Sequence, residues 1–150
     1  MERITFEIKS LLKFKLALVE YPELSSKKKW VQKGINVLKQ YAPGMLNYLS
    51  KEYILARLKE FDIVLRARKK TTKKRARLFF KIWLKKEKAK RLFLIVLEAL
   101  IIPFTGILAL LPGPNFFFYV PALLFYYHLT SYRGLRKIDA DELHIDVIRY

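Results

Sequence analysis

Apolar and polar positions recur in blocks along the first part of the chain, and their spacing predicts three amphipathic helices. From Ile4 to Val19 and from Trp30 to Tyr41, apolar residues return every three or four positions. Tyr21-Pro22 would end the first of these helices. A third helix is predicted from Met45 to Ala67. Such stripes are typical of packed core, although basic amphipathic helices of this kind also suit the surface of a bilayer.

Between residues 66 and 91 the pattern becomes strongly basic, with fourteen lysine and arginine residues against one acid, Glu87. From Leu78 onwards apolar residues mix with the lysines, which suits a helix among lipid headgroups with Trp83 as its interfacial anchor. The residues predicted to contact anionic lipid are Arg66, Arg68, Lys69, Lys70, Lys73, Lys74, Arg75, Arg77, Lys81, Lys85 and Lys86.

The block from Leu92 to Tyr132 is apolar almost throughout, and Glu98 is its only formally charged residue. A span of about 18 apolar residues suffices to cross a bilayer, and this block is about twice as long. Prolines interrupt it near the middle, so the simplest geometry is a helical hairpin with arms Leu92–Leu111 and Phe116–Tyr132. The predicted turn consists of Pro112, Gly113, Pro114 and Asn115.

Positive charge flanks both outer ends of this hairpin, and none lies in its turn. The positive-inside rule therefore predicts an inner (cell) membrane protein with both termini cytoplasmic and the turn toward the other face. Two alternatives stay open. The turn could stop inside the bilayer, which gives a re-entrant hairpin, or the hairpin could be the buried centre of a soluble helical domain.

The composition adds that the partner should be anionic. The chain has 150 residues, a formal net charge of +17 and no cysteine. This charge fits acidic lipid or nucleic acid, and the lack of cysteine excludes disulfides and thiolate chemistry. Lysines interrupt the N-terminal residues, so a signal peptide is not expected there. We predict an all-α protein: a basic helical region at 1–91, a transmembrane or re-entrant two-helix hairpin at 92–132, and a short cytoplasmic tail at 133–150.

Two ionisable residues in the apolar block could carry chemistry. Glu98 lies fifteen residues before Gly113 and His128 fifteen after it, so both would lie roughly 22 Å from the turn of an antiparallel hairpin. The pair could exchange a proton or follow an ion. Alternatively, both could lie near headgroup water, or they could form a structural hydrogen bond. No motif for an enzyme, a cofactor or a metal site is present, so a non-enzymatic protein is predicted.

The stretch from Leu111 to Gly134 reads LPGPNFFFYVPALLFYYHLTSYRG. It resembles the mitochondrial K+–H+ exchange-related proteins, in which a Pro-Asn pair after an apolar helix is followed by aromatic residues, a Tyr-x-His pair and a glycine. The resemblance implies an accessory component of potassium–proton exchange, and the lack of a transit peptide would suggest a prokaryotic plasma-membrane relative. The matching positions are Leu111, Pro112, Pro114, Asn115, Tyr119, Tyr126, His128 and Gly134.

Three classes of function follow from these patterns. The first is a non-enzymatic membrane scaffold or accessory protein linked to cation and proton homeostasis, acting as a homo-oligomer or within a larger membrane complex. The second is an ion or proton exchanger subunit that uses Glu98 and His128; two arms could enclose an ion pathway only by oligomerising. The third is a nucleic-acid-binding or ribosome-associated protein that uses the basic residues 66–91 to contact phosphates.

Overall fold

The computed structural model describes residues 3–10, 13–17, 23–110, 116–138 and 145–149. Within these ranges the chain is mostly helical, as predicted, but it also contains a sheet. The elements in chain order are β1 (Arg3–Ser10), β2 (Lys13–Ala17), α1 (Lys29–Tyr41), α2 (Gly44–Ala56), a 3-10 turn (Leu58–Glu60), β3 (Asp62–Ala67), α3 (Lys73–Leu108), α4 (Phe116–Arg136) and β4 (Ile145–Arg149).

The four strands form one sheet in the order β2-β1-β3-β4. β1 and β2 pair antiparallel, whereas β1 with β3 and β3 with β4 pair parallel. Parallel neighbours need a crossover connection, and here each connection contains a pair of helices. The chain reaches β3 from β1 through β2, α1, α2 and the 3-10 turn, and α3 and α4 lie between β3 and β4.

The prediction of a mostly helical chain is therefore confirmed, but the prediction that it has no strands is wrong. Of the residues predicted as the first helix, 4–10 belong to β1 and 13–17 form β2. The predicted third helix ends at Ala56, and its last six residues form β3 instead. In β1 the buried side chains are Ile4, Phe6 and Ile8, which alternate with period two, as a strand with one face on the core requires. This alternation competes with a helical spacing in the same residues, and β-branched and aromatic residues favour the strand.

Two hydrophobic clusters hold the helices against the sheet and against one another. The first, which we call the sheet core, joins the inner side of the sheet to one side of α3 and to the end of α2, and includes Phe6, Leu65, Phe80 and Trp83. The second, the helix core, joins α1, α2 and α4 and includes Val31, Ile35, Leu38, Leu49 and Leu123. The predicted apolar stripe of α1 is thus largely buried, although Trp30 and Tyr41 at its ends are exposed.

α3 is a single helix of 36 residues, about 54 Å long, and it contains both the basic segment and most of the first predicted arm. Thr72 caps its first turn by accepting a hydrogen bond from the backbone N–H of Arg75. The proposed boundary between residues 91 and 92 falls inside α3, and the boundary between 132 and 133 falls inside α4. The predicted turn at 112–115 lies outside the described residues.

α4 comes very close to α1 and to the end of α2, and a glycine makes each close approach possible. A Cβ on Gly34 of α1 would come within 2.8 Å of the Leu123 side chain on α4, and a Cβ on Gly134 of α4 would come within 2.1 Å of the Ala56 carbonyl oxygen. α4 therefore packs on α1 and on the end of α2 at distances that larger residues would not allow.

Candidate functional site

One side of α3 exposes a long apolar surface, which we call the apolar face. Its members are 40–73% exposed. They recur at the spacing that places residues on one side of a helix. The members are Leu92, Phe93, Val96, Leu97, Leu100, Ile101, Phe104, Ile107 and Leu108.

Among the residues that the structure describes, α3 is the one helix long and apolar enough to cross a membrane. Its most apolar 18-residue window has a mean hydropathy of 2.1, and only 11% of that window is buried. The core helix of a soluble protein would be mostly buried. α4, which holds the second predicted arm, does not reach the same apolarity, because its tyrosines, His128 and polar residues dilute it. A two-helix transmembrane hairpin is therefore not confirmed.

The opposite side of α3 buries charged residues, and these form a polar cluster with α2 and α4. Glu87, Arg91 and Glu98 are spaced by four and seven residues, so they share one side of α3. That side meets α2 and α4 between the sheet core and the helix core. We call these residues the buried polar cluster, although Tyr48, at its edge, is 37% exposed. The members are Tyr48 and Glu52 on α2, Glu87, Arg91 and Glu98 on α3, and His128 and Ser131 on α4.

Arg91 links all three helices at one end of the cluster. Its Nε and Nη2 donate to the two carboxylate oxygens of Glu52 at 2.8 and 2.6 Å. Its Nη1 forms an ion pair with Glu87 one turn earlier. Ser131 Oγ accepts from Arg91 Nε at 3.0 Å and donates to Glu52 at 2.6 Å. Burial alone would lower the pKa of Arg91, but the hydrogen bonds and negative charges of Glu52 and Glu87 outweigh it and raise that pKa.

The other end of the cluster is a chain of three groups. His128 Nδ1 lies 2.7 Å from Glu98 Oε1, and Tyr48 Oη lies 2.6 Å from His128 Nε2. Burial raises the pKa of Tyr48 to about 12, and the negative charge of Glu52 adds to the effect. The phenol thus stays protonated at neutral pH and can donate to His128 in the tautomer whose Nδ1–H donates to Glu98. Glu98 Oε2 is buried and has no hydrogen-bond partner among the described residues.

The structure brings together the pair that the sequence singled out, Glu98 and His128. Their equal distances from the predicted turn indicated a similar depth and left open whether they share a face. Their role with protons or ions stays a prediction. Sequence reasoning missed Tyr48, Glu52 and Ser131, because a lone polar residue in a half-buried helix shows no pattern. The spacing of Glu87, Arg91 and Glu98 was visible, but the first two were counted with the basic flank.

The residues predicted to contact anionic lipid occupy several elements. Arg66 is on β3, with its guanidinium 3.7 Å from the carboxylate of Glu7. Residues 68–70 lie between β3 and α3, and the others lie on the first half of α3. All are exposed except Lys81, which is half-buried.

Trp83 does not act as the predicted interfacial anchor. It is only 5% exposed, and its ring lies 5.3 Å from the ring of Phe6 and 5.5 Å from that of Phe80. The reason is the sheet, which the sequence did not predict. The sheet covers the side of α3 that carries Phe80 and Trp83 and leaves the lysines on the open side.

Compared with known proteins, the chain matches no family model, and no curated protein or solved structure is significantly similar to it. The resemblance of residues 111–134 to the exchange-related family therefore stays a prediction.

Proposed function

We propose that this chain is a non-enzymatic membrane scaffold or accessory protein that binds the bilayer through the apolar face of α3. The observation that carries this proposal is the low burial of the most apolar part of the chain, of which 11% is covered by the rest of the fold. Exposed apolar patches on soluble monomers rarely exceed a few hundred Å². Leaving nine large apolar side chains along one helix in contact with water is unfavourable, and binding to lipid removes them from water.

The first half of α3 supports lipid as the cover rather than another apolar protein. Lys85, Lys86 and Lys90 are exposed and directly precede the apolar face along the helix. A basic residue near an anionic leaflet contributes about 1 kcal/mol, so several together strengthen binding to an acidic bilayer. We therefore place the protein on the cytoplasmic leaflet of the cell membrane, which is the anionic one.

The role as a scaffold rests on the buried polar cluster, which cross-links α2, α3 and α4 by charge-assisted hydrogen bonds. A helix that is held in this way keeps its exposed face in one orientation relative to the rest of the protein. The basic and polar surfaces of the molecule would then be presented to partners in a defined position above the membrane.

A vesicle flotation assay tests the proposal. The protein is mixed with vesicles of 70% phosphatidylcholine and 30% phosphatidylglycerol, and the floated fraction is measured. We expect the wild type to float and Phe93→Gln/Phe104→Gln to stay largely in the buffer. The matched control is Leu78→Gln/Ile82→Gln, two exposed apolar residues in the first half of the same helix, which adds no negative charge among the lysines and should keep most of the binding. A wild type that stays in the buffer as a dimer would overturn the proposal.

A second function is favoured by the Tyr48–His128–Glu98 chain. This chain runs from a partly exposed phenol to a buried carboxylate, one oxygen of which has no hydrogen-bond partner in the part of the chain that the structure describes. Such an arrangement is suited to moving a proton, which an exchanger subunit requires. Cation-dependent proton flux in liposomes that is lost in Glu98→Gln would support this function. Flux that is unchanged in that variant, or absent in the wild type, would count against it.

A further inference from the structure

We infer that α3 enters only one leaflet of the bilayer, with α4 and α1 stacked above it on the water side. This inference rests on the proposed membrane attachment, and it specifies how the molecule lies. It departs from the crossing geometry that the length of the apolar block favours.

The order of the layers is the first support. His128 and Ser131 of α4 meet Glu98 and Arg91 on the buried side of α3. Leu123 and Tyr127 of α4 instead pack in the helix core with α1 and α2. α4 therefore lies between α3 and α1, and the apolar face of α3 points away from both.

The position of α1 along the length of α3 and α4 is the second observation that supports the one-leaflet geometry. α3 and α4 are antiparallel, with Glu98 opposite His128. Leu123 lies five residues before His128 in α4. Because the two helices are antiparallel, it is level with residue 103 of α3, five residues after Glu98 and about 16 Å past Leu92. Gly34 of α1 sits directly against Leu123. If α3 stood upright in the bilayer with Leu92 at the headgroups, α1 would lie near the middle of the hydrocarbon.

The charges on α1 make that upright position unfavourable. Lys33 is exposed and adjoins Gly34, so it would face hydrocarbon. Lys28 lies with its Nζ 4.9 Å from the ring of Tyr126, which is only slightly nearer the headgroups. A charged side chain is costly at the bilayer centre. With α3 lying shallowly in one leaflet, the same lysines face water, and the basic first half of α3 lies among the headgroups.

Single cysteines test this geometry, because the native chain has none. The variants are Lys33→Cys on α1, Phe104→Cys on the apolar face and Leu110→Cys just after α3. Each is bound to preformed vesicles of the composition given above and exposed to a membrane-impermeant thiol reagent. We expect Lys33→Cys to react at its rate in buffer, and Phe104→Cys to be slowed at least about tenfold by vesicles, as immersion in hydrocarbon predicts.

The outcomes separate the inference from the proposed attachment. If the protein floats but Lys33→Cys is protected, α1 is immersed and the one-leaflet geometry is wrong. If the protein floats and a reagent trapped inside the vesicles labels Leu110→Cys, α3 crosses, and the inference is again overturned. If the protein does not float and vesicles leave Phe104→Cys fully reactive, the membrane attachment itself fails.

Discussion

The two halves of α3 have opposite patterns on one continuous helix. In the first half, Lys73–Arg91, apolar side chains such as Phe80 and Trp83 face the sheet and lysines face outward. In the second half, Leu92–Leu108, Glu98 is buried and large apolar side chains face outward. The first half is arranged for water on its open side, and the second half for an apolar environment.

The difference shows what the buried polar cluster does for the fold. Arg91 stands at the junction of the two halves, where the buried side of α3 changes from apolar to polar. Without partners, a charged residue at this point would be very unfavourable. The carboxylates of Glu52 on α2 and Glu87 on α3, together with Ser131 of α4, satisfy it, so the helix can change its exposed surface without a break.

Two phenylalanines give the strongest test of this comparison. Phe80 in the first half is 0% exposed and Phe104 in the second is 73% exposed. Phe80→Ala should lower the free energy of unfolding by about 3–5 kcal/mol, because it leaves a cavity in the sheet core. Phe104→Ala should change that free energy, measured by denaturant unfolding in mild detergent, by less than about 0.5 kcal/mol.

Vesicle affinity should respond in the opposite way. Phe104→Ala should weaken binding by about tenfold, since it removes roughly 1.5 kcal/mol of apolar contact with lipid. Phe80→Ala, measured at a temperature where it is folded, should bind as the wild type does. Equal effects of both substitutions on stability would show that the second half is also covered by protein, and the contrast between the halves would be lost.

Arg91 at the junction is the next most sensitive residue. Arg91→Met should lower the free energy of unfolding by about 3–5 kcal/mol, because Glu52 and Glu87 would be left buried without a cation. The control is Arg57→Met, which breaks an exposed ion pair with Glu60 and should cost at most about 1 kcal/mol. Thermal unfolding followed by circular dichroism measures both. Similar losses in the two variants would mean that the cluster does not hold the junction.

The sequence predicts the structure of α3 better than it predicts the sheet. The long apolar block and the basic segment were visible because each is a run of one residue type. The sheet was missed because Ile4, Phe6 and Ile8 alternate within a pattern that also fits a helix, and because their partners in the strand Asp62–Ala67 lie 59 positions later in the chain, as in the pair Ile4 and Ile63. A strand is stabilised by such distant pairing, which a local pattern does not contain.

The residues of the candidate site likewise fall into some that the sequence could identify and others that it could not. Glu98 and His128 could be paired from the sequence because both are ionisable residues in an apolar block. Tyr48 and Glu52 could not, since they reach the cluster only through the packing of α2 on α4. Trp83 was assigned to the wrong environment because the sheet that covers it was not predicted.

Two glycines allow the same contrast between protein-covered and open surfaces to be tested with smaller expected effects on stability. Gly134→Ala should lower the free energy of unfolding by about 1–3 kcal/mol, because its Cβ would overlap the Ala56 carbonyl group, which is backbone and cannot rotate away. Gly106→Ala, in the second half of α3, meets nothing within 4 Å and should raise that free energy by about 0.5–1 kcal/mol. Chemical denaturation in detergent distinguishes the signs. A gain from Gly134→Ala would show that α2 and α4 are farther apart than described.

Tyr48 carries the smallest predicted effect and the only one that depends on pH. Near neutral pH, Tyr48→Phe should cost about 0.5–1.5 kcal/mol by removing one hydrogen bond to His128. The pKa of Tyr48 is raised to about 12 in the folded protein, against about 10 for a free tyrosine. Its contribution is therefore complete below pH 10 and falls as pH rises from about 10 to 12, where the unfolded chain ionises first.

The stability difference between wild type and Tyr48→Phe should thus shrink over that interval. Urea unfolding at several pH values measures it, and ultraviolet absorbance of the phenolate follows the titration directly. The variant is its own control for other alkaline effects, because both proteins share every lysine and every other tyrosine. A difference that stays constant from pH 8 to pH 12 would mean that the Tyr48 hydroxyl is hydrated rather than buried against His128, and that the chain leading to Glu98 starts at His128.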